Sequence, residues 1–91
     1  MKQDRKSTVI PSHLLVLTNL DLIEMAVVGD KVQSLPQTVE QKHLLHIGYE
    51  ALCKAAENYS GKPGVAFEIY AYMGIEDTLT AALERSNMAS A

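Results

Sequence analysis

Cysteine is used once in this chain of 91 residues, at Cys53 inside an apolar stretch, so an internal disulfide is excluded and the cytoplasm is the expected setting. No uninterrupted apolar run approaches the roughly 20 residues that a membrane-spanning helix needs. The best candidate, LLVLTNLDLIEMAVV, is broken by Asp21 and Glu24, and no small-residue cleavage pattern follows it, so neither a membrane helix nor a signal peptide is expected. Strand-like alternation, internal repeats and low-complexity tracts are also missing. Positive charge is scarce where a nucleic-acid ligand would want it. Lys2, Arg5 and Lys6 occupy the first six residues, and from Val9 onward ten acids face five bases, a balance of -5 in a chain whose formal net charge is -3. A body of that sign repels a phosphate backbone. What is present is 47% hydrophobic and 21% charged residues, the composition of one small globular domain.

Three helical segments are expected. The first runs from His13 to about Val32, with Ser12 as N-cap behind Pro11. Its polar positions fall within a sector of roughly 140°, which leaves an apolar face wider than one neighbouring helix covers. Pro36 makes QSLPQ a connector. The second segment runs from Val39 to about Asn58, opened by TVEQ as a reciprocal capping box with Thr38 and Gln41. Leu44, Leu45, Ile47, Leu52, Ala55, Ala56 and Tyr59 recur there at helical spacing, and Gly48 allows a close approach. After SGKPG the third segment, GVAFEIYAYMGIEDTLTAALER, carries Val65, Phe67, Ile69, Tyr70, Met73, Leu79, Ala82 and Leu83 as its expected stripe. The fold class is therefore all-α, a small three-helix bundle. A basic tail over 1–8, one domain over 9–86 and a frayed end over 87–91 complete the expected organisation.

Catalytic chemistry finds little support. His43 and His46 lie three apart on one helical face with Glu50 a turn beyond, a spacing able to hold a metal, but two histidines and a carboxylate outside a metal motif read as surface residues. Glu76 and Asp77 are adjacent and so diverge on a helix, which does not suit a paired acid and base. There is no nucleophile motif, glycine-rich phosphate loop or CxxC pair. No metal, cofactor or enzymatic activity is expected.

The stretch LPQTVEQKHLLHIGYEALCKAAENYSGKPGVAFEIYAYMGIEDTLTAALER resembles the central helical region, region 2, of sigma-70 family transcription initiation factors, especially the flagellar and sporulation types. Leu35, Pro36, Val39, Leu44, Leu45, Gly48, Leu52, Ala55, Tyr59, Gly64, Phe67, Tyr70, Ala71, Ile75 and Leu83 fall in register with the family pattern without gaps. The segment around NLDLIEMAV fits the preceding family helix more loosely. The resemblance implies a helical domain whose DLIQxG helix docks on RNA polymerase and whose next helix reads and melts promoter DNA. This chain departs at those working positions. His43 and His46 replace the Asp and Gln of the docking motif. Around Met73, Gly74, Ile75, Glu76, Asp77 and Thr78, where the family carries RIRGAM, both arginines are gone and one is replaced by an acid. Glu24 and Met25 stand where the family has two further arginines.

The expected function is accordingly a non-catalytic sigma-like domain acting in transcription control by protein binding, through RNA polymerase or an anti-sigma factor, with weak or no DNA binding. A genuine initiation-factor core and a homo-oligomeric structural protein, such as a homodimer, are the alternatives. The expected partner surfaces are the second helix around His43, His46 and Tyr49, and the first around Leu15, Leu22 and Val27. Tyr72, Met73 and Glu76 mark the degenerate nucleic-acid face, with Tyr72 exposed and Tyr70 packed in the core.

Overall fold

The computed structural model describes residues 11–59 and 64–90; the expected basic tail lies outside them. The chain is all-α, with no strand among the described residues. In chain order the helices are α1 (Ser12–Leu17), α2 (Asp21–Val27), α3 (Asp30–Gln33), α4 (Gln41–Asn58) and α5 (Phe67–Ser90).

The single first helix expected from the hydropathy pattern is thus three short ones, and the side chains at the breaks explain why. Thr18 Oγ1 donates to the Leu14 carbonyl at 2.7 Å and Asn19 Nδ2 to the Leu15 carbonyl at 2.9 Å, so polar side chains serve α1 carbonyls where the helix stops. At Gly29 the backbone is extended (φ -72, ψ 160), which separates α2 from α3. A side chain there would sit 3.1 Å from the Met25 carbonyl oxygen and 3.2 Å from the Tyr72 hydroxyl. Carbonyls at the ends of these short helices find donors in glutamines: Gln33 Nε2 reaches Val27 at 2.7 Å and Gln37 Nε2 reaches Val32 at 2.9 Å.

The expected caps also differ. Pro11, not Ser12, is the N-cap residue of α1, and no side chain bonds its first amides. The helix expected from Val39 starts at Gln41, with Glu40 as N-cap and no side-chain cap. Thr38 is engaged elsewhere: its N–H donates to the Pro36 carbonyl at 3.0 Å, and its hydroxyl lies 3.0 Å from Asn87 Oδ1 of α5. That contact falls in the segment expected to fray, yet α5 continues to Ser90.

Helices α4 and α5 form an antiparallel pair, because Tyr59 at the end of α4 meets Phe67 and Tyr70 while Gly48, three turns earlier, faces Ile75. Helix α2 lies against both, α1 against α4, and α3 against α5. The core of the described residues is wholly apolar. On α5 it follows Phe67, Ala71, Ile75, Leu79 and Leu83, a strict four-residue spacing. Each large aliphatic side chain buried there contributes about 1.5–3 kcal/mol. Val65, Ile69, Tyr70 and Met73, expected in that stripe, are exposed instead. Ile69 is two residues from Phe67 and from Ala71, about 200° around the helix from each, so a helix buried along 67 and 71 must turn Ile69 outward.

Candidate protein-binding surfaces

Three surfaces stand out on this scaffold. The first is the outer side of α4. His43, His46 and Tyr49 are all exposed on it, and His46 Nε2 lies 3.2 Å from Glu50 Oε2 one turn on. Tyr49 leans toward the cleft between α1 and α4, lined also by His13, Val16, Leu17 and Cys53. A hydrogen bond with Cys53 raises its hydroxyl pKa above the ordinary value. The structure therefore brings the two histidines and Glu50 to one stretch of surface and turns Tyr49 toward its edge. No group of three or more His, Cys, Asp or Glu side chains able to hold a metal occurs among the described residues.

The second surface is the outward side of the first three helices, where the expectation needs correction. Leu22 and Val27 are core residues, 7% and 1% exposed, and Leu15 is half-buried against the core, so none of the three presents an apolar face. The residues that do are Leu14, Leu17, Leu20, Met25 and Val28. The breaks cause the difference: with the helix interrupted at 18–20, the face that Leu15 and Leu22 would share in a continuous helix is folded onto α4 and α5. Asp21 and Glu24 are exposed among the α2 members of this set, and neither joins an ion pair among the described residues.

The third surface is a groove of ≈ 520 Å³ between α4 and α5. Its floor is made of small residues, Ala51 and Ala55 from α4 and Gly74 from α5, and a side chain at Gly74 would meet nothing within 4 Å. Its wall is Val65, Ile69, Tyr70 and Met73, with Lys54 and Asp77 on the rims. Asp77 also accepts from Lys31 Nζ at 3.5 Å. Sequence reasoning missed this groove. The signal was present in the alanines at 51 and 55, which share a face of α4, but small residues at that spacing read as helix formers until their neighbours are known.

The positions assigned to a degenerate nucleic-acid face are scattered among these features. Met73 is 58% exposed and belongs to the groove wall. Tyr72 is half-buried against the core while Tyr70 is exposed, the reverse of the expectation. The reason is again the line through Phe67, Ala71 and Ile75: Tyr72 sits on its flank facing α2, and Tyr70 on the flank that opens into the groove. Burial raises the Tyr72 pKa, and the half-buried Glu76 raises it further by charge and hydrogen bonding, with Asp30 last. Among the described residues no helix is long and apolar enough to cross a membrane. Neither a protein-family model, nor a curated protein, nor a solved structure matches the chain.

Proposed function

We propose that this chain is a non-catalytic, protein-binding helical domain of the sigma region 2 type, acting in transcription control through the outer side of α4. One observation carries the reading. Of the positions in register with the sigma pattern, Leu44, Gly48, Leu52, Ala55, Phe67, Ala71, Ile75 and Leu83 are buried, whereas the docking positions His43 and His46 are exposed side by side. The support is thus a match over these eight of the fifteen in-register positions and the two docking positions; Pro36, Gly64 and Tyr70 are exposed, and Tyr72 and Glu76 are half-buried. A surface of two imidazoles with the Glu50 carboxylate beside His46 suits a protein partner, either a polymerase subunit or an anti-sigma factor, better than a phosphate backbone. Tyr72, Met73 and Glu76 supply no cation for promoter phosphates, so promoter recognition is absent from the proposal.

The test is retention of core RNA polymerase, and separately of an anti-sigma factor, on the immobilised chain at low and moderate salt. One of the two is expected to be retained, to be lost with His46→Glu, and to bind more tightly in the case of polymerase when His43→Asp and His46→Gln restore the family's docking pair. Retention of neither, or retention indifferent to both sets of changes, overturns the reading.

A further inference from the structure

We infer that the groove between α4 and α5 is a self-complementary contact through which two copies of this chain pair about a two-fold axis. The groove holds both halves of a knobs-into-holes arrangement. Ile69 and Met73 stand out from it, 60% and 58% exposed, and Ala51, Ala55 and Gly74 leave the hollow beside them. A two-fold contact requires that one patch supply both parts, because each residue pair then occurs twice.

The charges on the rims select the same occupant. The meeting of Gly48 with Ile75 fixes the antiparallel register of the two helices, so Asp77 lies near the level of His46, and Lys54 lies eight residues, about 12 Å, further along the groove. A two-fold axis through the level of Ala51 and Gly74 exchanges those levels. Lys54 of one copy then faces Asp77 of the other, twice over, while the apolar walls close on the small-residue floors. The Lys31 pair does not hold Asp77 back, since at 3.5 Å with both side chains more than half exposed it belongs to the class that contributes little. The outward face of α2 offers a second copy the opposite prospect. Pairing there would bring Asp21 and Glu24 of both copies together, four carboxylates around Met25 and Val28 with no base among them.

Eleven residues line the groove, about half of the 20–30 on each side of a standard interface, so the pairing is of the weak class, with a dissociation constant on the order of micromolar to tens of micromolar.

Sedimentation of the full chain over about a hundredfold range of concentration is the test, because self-association follows mass action. A reversible monomer–dimer equilibrium is expected. Met73→Glu should raise the dissociation constant at least about tenfold, and Lys54→Glu should weaken pairing by placing two acids together. Lys54→Glu combined with Asp77→Lys should recover it. These positions are exposed, and circular dichroism would verify that each variant keeps its helix content. A monomer at every concentration overturns the inference. So does a dimer that ignores Met73→Glu and dissociates with Met25→Glu, and so does a double exchange that recovers nothing. The inference does not rest on the transcription reading, and the chain can pair whether or not it retains polymerase.

Discussion

Gly48 and Ile23 meet so closely that one methyl decides the fit. A Cβ on Gly48 would fall 2.8 Å from Ile23 Cγ2 and 3.6 Å from Ile75 Cγ2, at the point where α2, α4 and α5 converge. Gly48→Ala should therefore destabilise by about 1–3 kcal/mol, even though alanine is the better helix former by about 1 kcal/mol. The atom in the way belongs to a β-branched side chain. Ile23→Leu moves the branch out to Cγ, so the double variant Gly48→Ala with Ile23→Leu should lose less stability than the two single changes added together. Urea unfolding of all four members of that cycle reads the coupling. Tyr72 provides the pH dependence. Its hydroxyl pKa is raised from 10.0, first by burial, then by Glu76 and Asp30. The folded chain thus keeps a proton that the unfolded chain releases near pH 10, and stability present below that pH falls as pH rises through the folded value. Thermal melts should show an alkaline decline in stability above about pH 9, and Tyr72→Phe should flatten it. The remaining slope should contain Tyr49, whose pKa is shifted in the same direction through Cys53.

At the scale of elements, the link between Thr38 and Asn87 shows what holds the far end of α5. It joins the connector before α4 to the last turns of the longest helix, at 3.0 Å. Asn87→Ala should cost about 0.5–1.5 kcal/mol, the net worth of an ordinary hydrogen bond. It should also speed amide exchange in the turn after Arg85 while leaving the centre of the helix unchanged. That link joins residues 49 apart in sequence, and periodicity has no means of registering it, which is why the end of α5 read as frayed. Helix α4 was legible nearly to its ends, since Leu44, Leu52 and Ala55 recur on one face at helical spacing. The breaks at 18–20 and at Gly29 were not. They come from side chains bonding to backbone carbonyls and from one extended glycine, within a run that is apolar on both sides. On α5 apolar residues surround most of the helix between Phe67 and Ile75, so the sequence pattern admits more than one buried line and the neighbouring helices choose among them. The exposure of His43 and His46 on the outer side of α4 was legible because the buried line through Leu44, Gly48, Leu52 and Ala55 leaves them on the opposite side. The groove was illegible because it exists only where two helices are put together.

For the whole molecule, charge and shape bear on nucleic acid together. The body from Val9 onward has ten acids against five bases, and on α5 Glu76 stands beside the exposed Asp77. Binding to a promoter fork with single-stranded upstream-element sequence should be weak and nearly independent of sequence. A band-shift titration checks this, and specific binding in the range of about 10⁻⁸–10⁻¹¹ M would overturn it. The clasp at Tyr59 bears on the order in which the molecule assembles. Its hydroxyl donates to the Val65 carbonyl at 2.6 Å and its ring packs at 5.3 Å from Phe67 and 5.6 Å from Tyr70. These contacts close a loop of about ten residues, an event of about 10–100 ns, whereas the meeting of Ile23 with Gly48 must first bring together residues 25 apart. The hairpin of α4 and α5 should accordingly form in the folding transition state, ahead of the docking of α2. In stopped-flow chevrons Tyr59→Leu should mainly slow refolding, while Ile23→Val should mainly speed unfolding. A chain built in that order commits its two longest helices to each other before residues 12–33 have chosen where to bend, so the short helices take the shape of a template already formed.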